Sequence, residues 1–199
     1  MKNIITRLTL LSLAAGSAHA ATTYDFTGKG DVFDGQTSVP IFLTDGSNST
    51  TMTVTGTGGN LNSNSGDFGI DGSEIDEVND FIDGITESIE LSFDQDIELV
   101  FIEFGSVGAD MTDGVHLTVG GTSVDLFTGV SGFDGNADLY APSTSIALSK
   151  GSSLIITGSA TTSSFDLENI QINVVPEPGT YALLAGLSCL ALIGLRRRD

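Results

Sequence analysis

Ile89, Leu91 and Phe93 alternate with Ser88, Glu90 and Ser92. A repeat of two puts every apolar side chain on one face of an extended chain, which predicts a half-buried strand and excludes a helix there. Ile97 and Leu99 then keep one phase and Ile102 and Phe104 the other, so a bulge or change of face is expected near Val100-Phe101. A second slip falls at Glu168-Asn169, between Phe165 and Leu167 on one side and Ile170, Ile172 and Val174 on the other. Two slips predict curved strands. Further short strands are expected at Tyr24 to Phe26, Val39 to Leu43, Met52 to Thr55, Val115 to Val119, Val124 to Phe127 and Leu154 to Thr157. Their separation by Gly, Ser, Asn and Asp, with no long helix between them, predicts an all-β fold: an antiparallel β-sandwich of the jelly-roll type. A short helical turn is expected at Ser73 to Phe81, behind a Ser73 cap, from the spacing of Ile75, Val78 and Ile82. Recurrent Asp-Gly pairs, such as Asp34-Gly35 and Asp45-Gly46, read as turns because glycine accepts positive φ.

The chain around this core divides into three. Lys2 and Arg7 precede an apolar run, Leu8 to Ala15, and the small-residue pattern Ala18-His19-Ala20. That order predicts a secretory signal peptide over residues 1–20, cut after Ala20. No cysteine stands beside that position, so lipidation is excluded. Residues 21–175 are the expected β-sandwich domain. Residues 176–199 form a different kind of segment: Pro176-Glu177-Pro178, an apolar run from Tyr181 to Leu195, and Arg196-Arg197-Arg198. The run would reach about 22 Å as a helix at ~1.5 Å per residue, short of a ~30 Å hydrocarbon core, so it suits a transient anchor. Three arginines should remain cytoplasmic, leaving the domain outside. Pro176 and Pro178 keep the segment before the run extended.

Pro-Glu-Pro, a short hydrophobic helix and an arginine cluster, in that order, resemble the PEP-CTERM sorting signal of exported proteins of Gram-negative bacteria. The resemblance implies recognition of Pro176, Glu177 and Pro178 by a membrane-embedded exosortase. It also implies transient residence in the inner membrane through Tyr181 to Leu195, then release to the cell surface or extracellular matrix. The general secretion machinery is the other implied partner. The stretch from Phe68 to Phe93 is similar to one shared by cargo domains with such tails, and carries no catalytic residue with it.

Charge decides which partners the domain can meet. The formal net charge is −19, and of 26 acidic residues all but Glu177 and Asp199 lie between Ala21 and Val175, against Lys29 and Lys150 alone. Nucleic acid is excluded as a partner, and acidic polysaccharide is repelled unless cations intervene. The single cysteine, Cys189, is in the tail, so the exported domain has no disulfide. Calcium is the cofactor the composition allows, because it takes six to eight oxygen ligands. Asp134, Asn136 and Asp138 place side-chain oxygens at alternate positions, with Leu139 where a calcium loop has Gly and Ser145 where it has Glu. Asp71, Glu74 and Asp76 form a second candidate.

Enzyme chemistry has little to build on. The domain lacks Cys and Arg, and its one histidine, His116, takes the polar phase of its strand. Carboxylates for a glycoside hydrolase abound without any pair singled out. With no Trp, the phenylalanines are expected in the core rather than as sugar platforms. The expected role is non-enzymatic, in surface structure or interaction, with extracellular polysaccharide as the expected associate. A lectin-like carbohydrate-binding module, calcium-dependent or not, is the alternative, and a glycoside hydrolase comes third.

Overall fold

The computed structural model describes residues 21–46, 48–63, 68–70, 75–76, 87–105, 115–126, 133–134, 139–158, 164–176 and 186. The first strands are β1 (Thr22–Asp25), β2 (Ser38–Asp45), β3 (Asn48–Thr57), β4 (Leu61–Ser63), β5 (Phe68–Ile70) and β6 (Ile75–Asp76). Two long strands follow, β7 (Ser88–Phe93) and β8 (Ile97–Gly105), then the hairpin β9 (Val115–Val119) and β10 (Thr122–Leu126). The chain continues through β11 (Phe133–Asp134), β12 (Leu139–Tyr140), β13 (Ile146–Leu148), β14 (Ser153–Gly158) and β15 (Ser164–Val174). A four-residue helix, α1 (Gly30–Phe33), lies between β1 and β2.

All pairings among the described residues are antiparallel. One sheet runs β10-β9-β14-β7-β3-β2, a second runs β1-β15-β8-β12-β11 with β13 also on β8 and β6 on β15, and β4 and β5 pair alone. Inward residues of both large sheets meet in one apolar cluster that extends from Phe26 to Val174. Among the described residues, this cluster draws on both large sheets, α1 and the β4–β5 pair. The fold is all-β and antiparallel, as the alternation requires; the jelly-roll path is not confirmed by these pairings, which instead keep two consecutive hairpins, β2–β3 and β9–β10, at the two edges of one sheet.

Both expected slips are β-bulges in the β8–β15 pair. Leu167 pairs with Phe104 and Asn169 with Glu103, so Glu168 is the extra residue on β15. Gln171 pairs with Phe101 and Ile172 with Leu99, so Val100 is the extra residue on β8. Each lets an apolar set change phase while staying buried, which is the physical use of a bulge. Glu168 gains a second role, since its carbonyl accepts the Phe26 N–H at 2.9 Å and prolongs the pairing of β1.

The helical turn expected at Ser73 to Phe81 is corrected at Ile75–Asp76, which form a strand paired with Ser164 and Phe165. Long-range pairing outweighs helical spacing in so short a segment; the rest of that span lies outside the described residues. The helix α1, among the described residues, has no side-chain cap. It is held by its surroundings instead. Ser63, 4 % exposed, donates its hydroxyl to the Phe26 carbonyl at 2.8 Å and accepts the Lys29 N–H at 2.9 Å, while its own N–H donates to Asp34 at 2.9 Å.

Candidate functional site

The last strand leads straight into the tail. β15 lies inside its sheet, between β1 and β8, and ends at Val174, opposite Ile97. The Val174 N–H donates to Asp45 Oδ2 at 3.4 Å, and Asp45, at the end of β2, is 3 % exposed. The Val175 N–H donates to the Asp96 carbonyl at 2.9 Å. Pro176 has no N–H and is the first residue past these bonds.

Three turns surround this exit. Asp96 Oδ1 accepts the Lys150 N–H at 2.7 Å, tying the turn after β13 to the turn after β7. Asp94 Oδ1 accepts the Thr50 hydroxyl at 2.9 Å and the Thr51 N–H at 2.6 Å, tying in the β2–β3 hairpin, where Gly46 takes a φ of 57°. Slight burial pushes the Asp94 carboxyl up, but the bonds from Thr51 and Thr50, with help from the Lys150 charge, outweigh it and hold the group below the usual carboxylate range. The other end of the domain chain arrives here too. Thr22 pairs with Ile172, and its hydroxyl donates to the Thr44 carbonyl. Both terminal segments therefore leave from one end of the sandwich.

Of the residues singled out in the sequence, Pro176 is described. Glu177, Pro178, Arg196, Arg197, Arg198, Ala18 and Ala20 lie outside the described residues, as do Asn136, Asp138, Asp71 and Glu74. Asp134 and Asp76 are placed only as backbone of β11 and β6. Among the described residues there is no group of three or more His, Cys, Asp or Glu able to hold a metal, and no helix long and apolar enough to cross a membrane. Tyr181 to Leu195 falls outside that set except at Gly186.

Sequence reading did not show how the outward positions of the six-stranded sheet combine. Register aligns Ser38, Thr55, Glu90, Ile155, Thr118 and Ser123 in one row across six strands. The next row holds Thr57, Ser88, Thr157, His116 and Asp125, and the row on the other side holds Pro40, Thr53, Ser92 and Ser153. Hydroxyls dominate. Ser38 and Thr55 share a hydrogen bond at 3.0 Å, as do Thr118 and Ser123. His116, solvent-facing as expected, pairs with Asp125 at 2.5 Å across β9 and β10. Phe42 stands beside the rows at 69 % exposure, an exception among phenylalanines of which Phe26, Phe33, Phe68, Phe93, Phe104 and Phe165 are buried.

The opposite outer face has a different chemistry. There Asn169 donates to Glu103 at 2.8 Å, Gln171 to Thr23 at 2.9 Å and Ser145 to Glu98 at 3.3 Å. Amides and carboxylates line it, and hydroxyls line the first face.

The comparisons with known proteins bear on the tail. Neither the curated proteins nor the solved structures provide a match to the chain. Residues 174–198 match the PEP-CTERM protein-sorting motif. The motif marks a protein exported and sorted at the membrane by an exosortase, and here it begins at the final residue of β15.

Proposed function

We propose that this chain is an exported, non-enzymatic protein whose β-domain is delivered to the cell surface or extracellular matrix after processing near Pro176-Glu177-Pro178. The observation that carries the reading is the sorting motif at residues 174–198, joined without a spacer to the last strand of an acidic β-domain. Tyr181 to Leu195 would hold the chain in the inner membrane only until that cut. Mass spectrometry of the native surface fraction is expected to find a chain that begins at Ala21 and lacks Arg196 to Arg198. An intact C-terminus confined to the inner membrane would overturn it.

A second reading, a carbohydrate-binding module, is favoured by the hydroxyl rows of the six-stranded sheet. Ser and Thr both donate and accept, as sugar hydroxyls do, and cost less to desolvate than carboxylates. The rows repeat at about 4.8 Å between strands, with exposed Phe42 alongside as an aromatic edge. Neutral polysaccharides suit such a face better than acidic ones, given the −19 net charge. Residues 21–176 are expected to bind a neutral polysaccharide. Thr53→Glu on the hydroxyl face should weaken binding about ten-fold, a loss of ~1.4 kcal/mol, whereas Gln171→Glu on the other face leaves it unchanged. Equal effects would remove the face from consideration. Repeating the titration with calcium and then with chelator tests the ligand role proposed for Asp134, Asn136, Asp138, Asp71, Glu74 and Asp76.

A further inference from the structure

We infer that the end of the sandwich from which the tail emerges is a docking surface for the membrane-embedded enzyme that processes the tail. The inference rests on the sorting reading above and adds that the folded domain, not the tail peptide alone, is recognised. Reach is the first argument. From Pro176 to Tyr181 the chain can span at most about 18 Å at ~3.6 Å per residue, and the headgroup layer alone takes up roughly 5–8 Å of it. Val174 and Val175 add no slack, because Asp45 and Asp96 hold them in the fold. An enzyme that encloses a peptide so close to a folded domain must touch that domain.

The surface it would touch is already organised. The Asp94–Asp96 turn is bonded to the Lys150-Gly151 turn and to Thr50 and Thr51 of β3, and Asp45, at the end of β2, accepts from Val174 at the exit itself. Asp94, Asp96 and Lys150 are exposed there. Independently, the pairing of Thr22 with Ile172 brings Ala21 to the same end, so the sites of both expected cuts face the membrane together. Charge favours a protein partner over lipid: exposed carboxylates repel anionic headgroups, while a cationic protein surface complements them.

The test uses the full chain expressed in its exosortase-containing host, with the rate of processing as readout. A Gly/Ser insert of about twelve residues between Val175 and Pro176 allows an end-to-end distance of roughly 20 Å and leaves the motif untouched. Uncoupling the two contacts is expected to slow processing about ten-fold. Gln95→Arg, at the tip of the β7–β8 turn, should slow it as well without changing the melting temperature. Equal or faster processing of the insert would show that only the peptide is recognised and would overturn the docking surface while leaving the sorting reading intact. Binding of purified residues 21–176 to protein-free anionic vesicles would also overturn it, in favour of a lipid contact. Failure of the wild-type chain to be processed at all would take down both readings.

Discussion

Deleting Glu90 is expected to abolish folding, whereas deleting Val100 should leave a folded domain. β7 is flanked on both sides, by β3 and by β14, and buries Ile89, Leu91 and Phe93 while Ser88, Glu90 and Ser92 face outward. Loss of one residue from a strand of period two sends everything beyond it to the opposite face. Leu91 and Phe93 would then face water and Ser92 would face the core. Exposing those two side chains costs roughly 3–6 kcal/mol, and turning a hydroxyl inward adds to it. A whole domain has only about 5–15 kcal/mol to lose. Val100 differs because the ladder already steps over it: Leu99 pairs with Ile172 and Phe101 with Gln171. Without Val100 the run Ile97, Leu99, Ile102, Phe104 alternates regularly and keeps the same residues buried. Circular dichroism with thermal melting separates the two, through loss of any cooperative transition in the first and a shift of no more than about 2 kcal/mol in the second. Two deletions with the same outcome would mean that the bulge assignment is wrong.

The same contrast explains what the sequence made legible. Ser88–Phe93, Val115–Val119 and both bulges were readable because alternation against a large core imposes a local signature. Phe68–Ile70 gave none, being three residues all buried, and Ile75–Asp76 gave a misleading one. In both places the partner strand, not the local pattern, decides the structure. Sites followed the same division. The sorting tail is contiguous, so its order of proline, apolar run and arginine could be read directly. The bond between Asp45 and Val174 spans 129 positions and depends on how two sheets meet. The hydroxyl rows require the register of six strands whose order in the sheet, β10-β9-β14-β7-β3-β2, differs from their order in the chain. Thr55, Glu90 and Ile155 look unrelated until that register is known.

Phe26→Ala is the point substitution expected to cost most, because the Phe26 ring packs at once against side chains of β1, α1 and β5. Its ring is fully buried, stacked on Phe68 at 5.0 Å, tilted against Phe33 at 6.2 Å and edge-on to Tyr24 at 4.9 Å. Those partners come from β5, α1 and β1. The helix α1 is too short and too poorly capped to persist alone, so Phe33 depends on this cluster for its position. Around the ring, the Phe26 carbonyl accepts from Ser63 and its N–H donates to Glu168, so the cavity would open beside buried polar groups held in fixed geometry. Such a site collapses poorly, and large-to-small losses at aromatic positions run about 3–5 kcal/mol. At ~2–4 °C per kcal/mol for a domain of this size, the melting temperature of residues 21–176 should fall by roughly 6–20 °C. Phe26→Leu refills most of the volume and should recover more than half of that fall. Phe42→Ala, where the ring is 69 % exposed, should change melting by less than about 0.5 kcal/mol. If Phe26→Ala and Phe42→Ala melted alike, the aromatic cluster would not be the joint between α1, β5 and the sandwich, and the Ser63 hydrogen bonds alone would set the position of the helix.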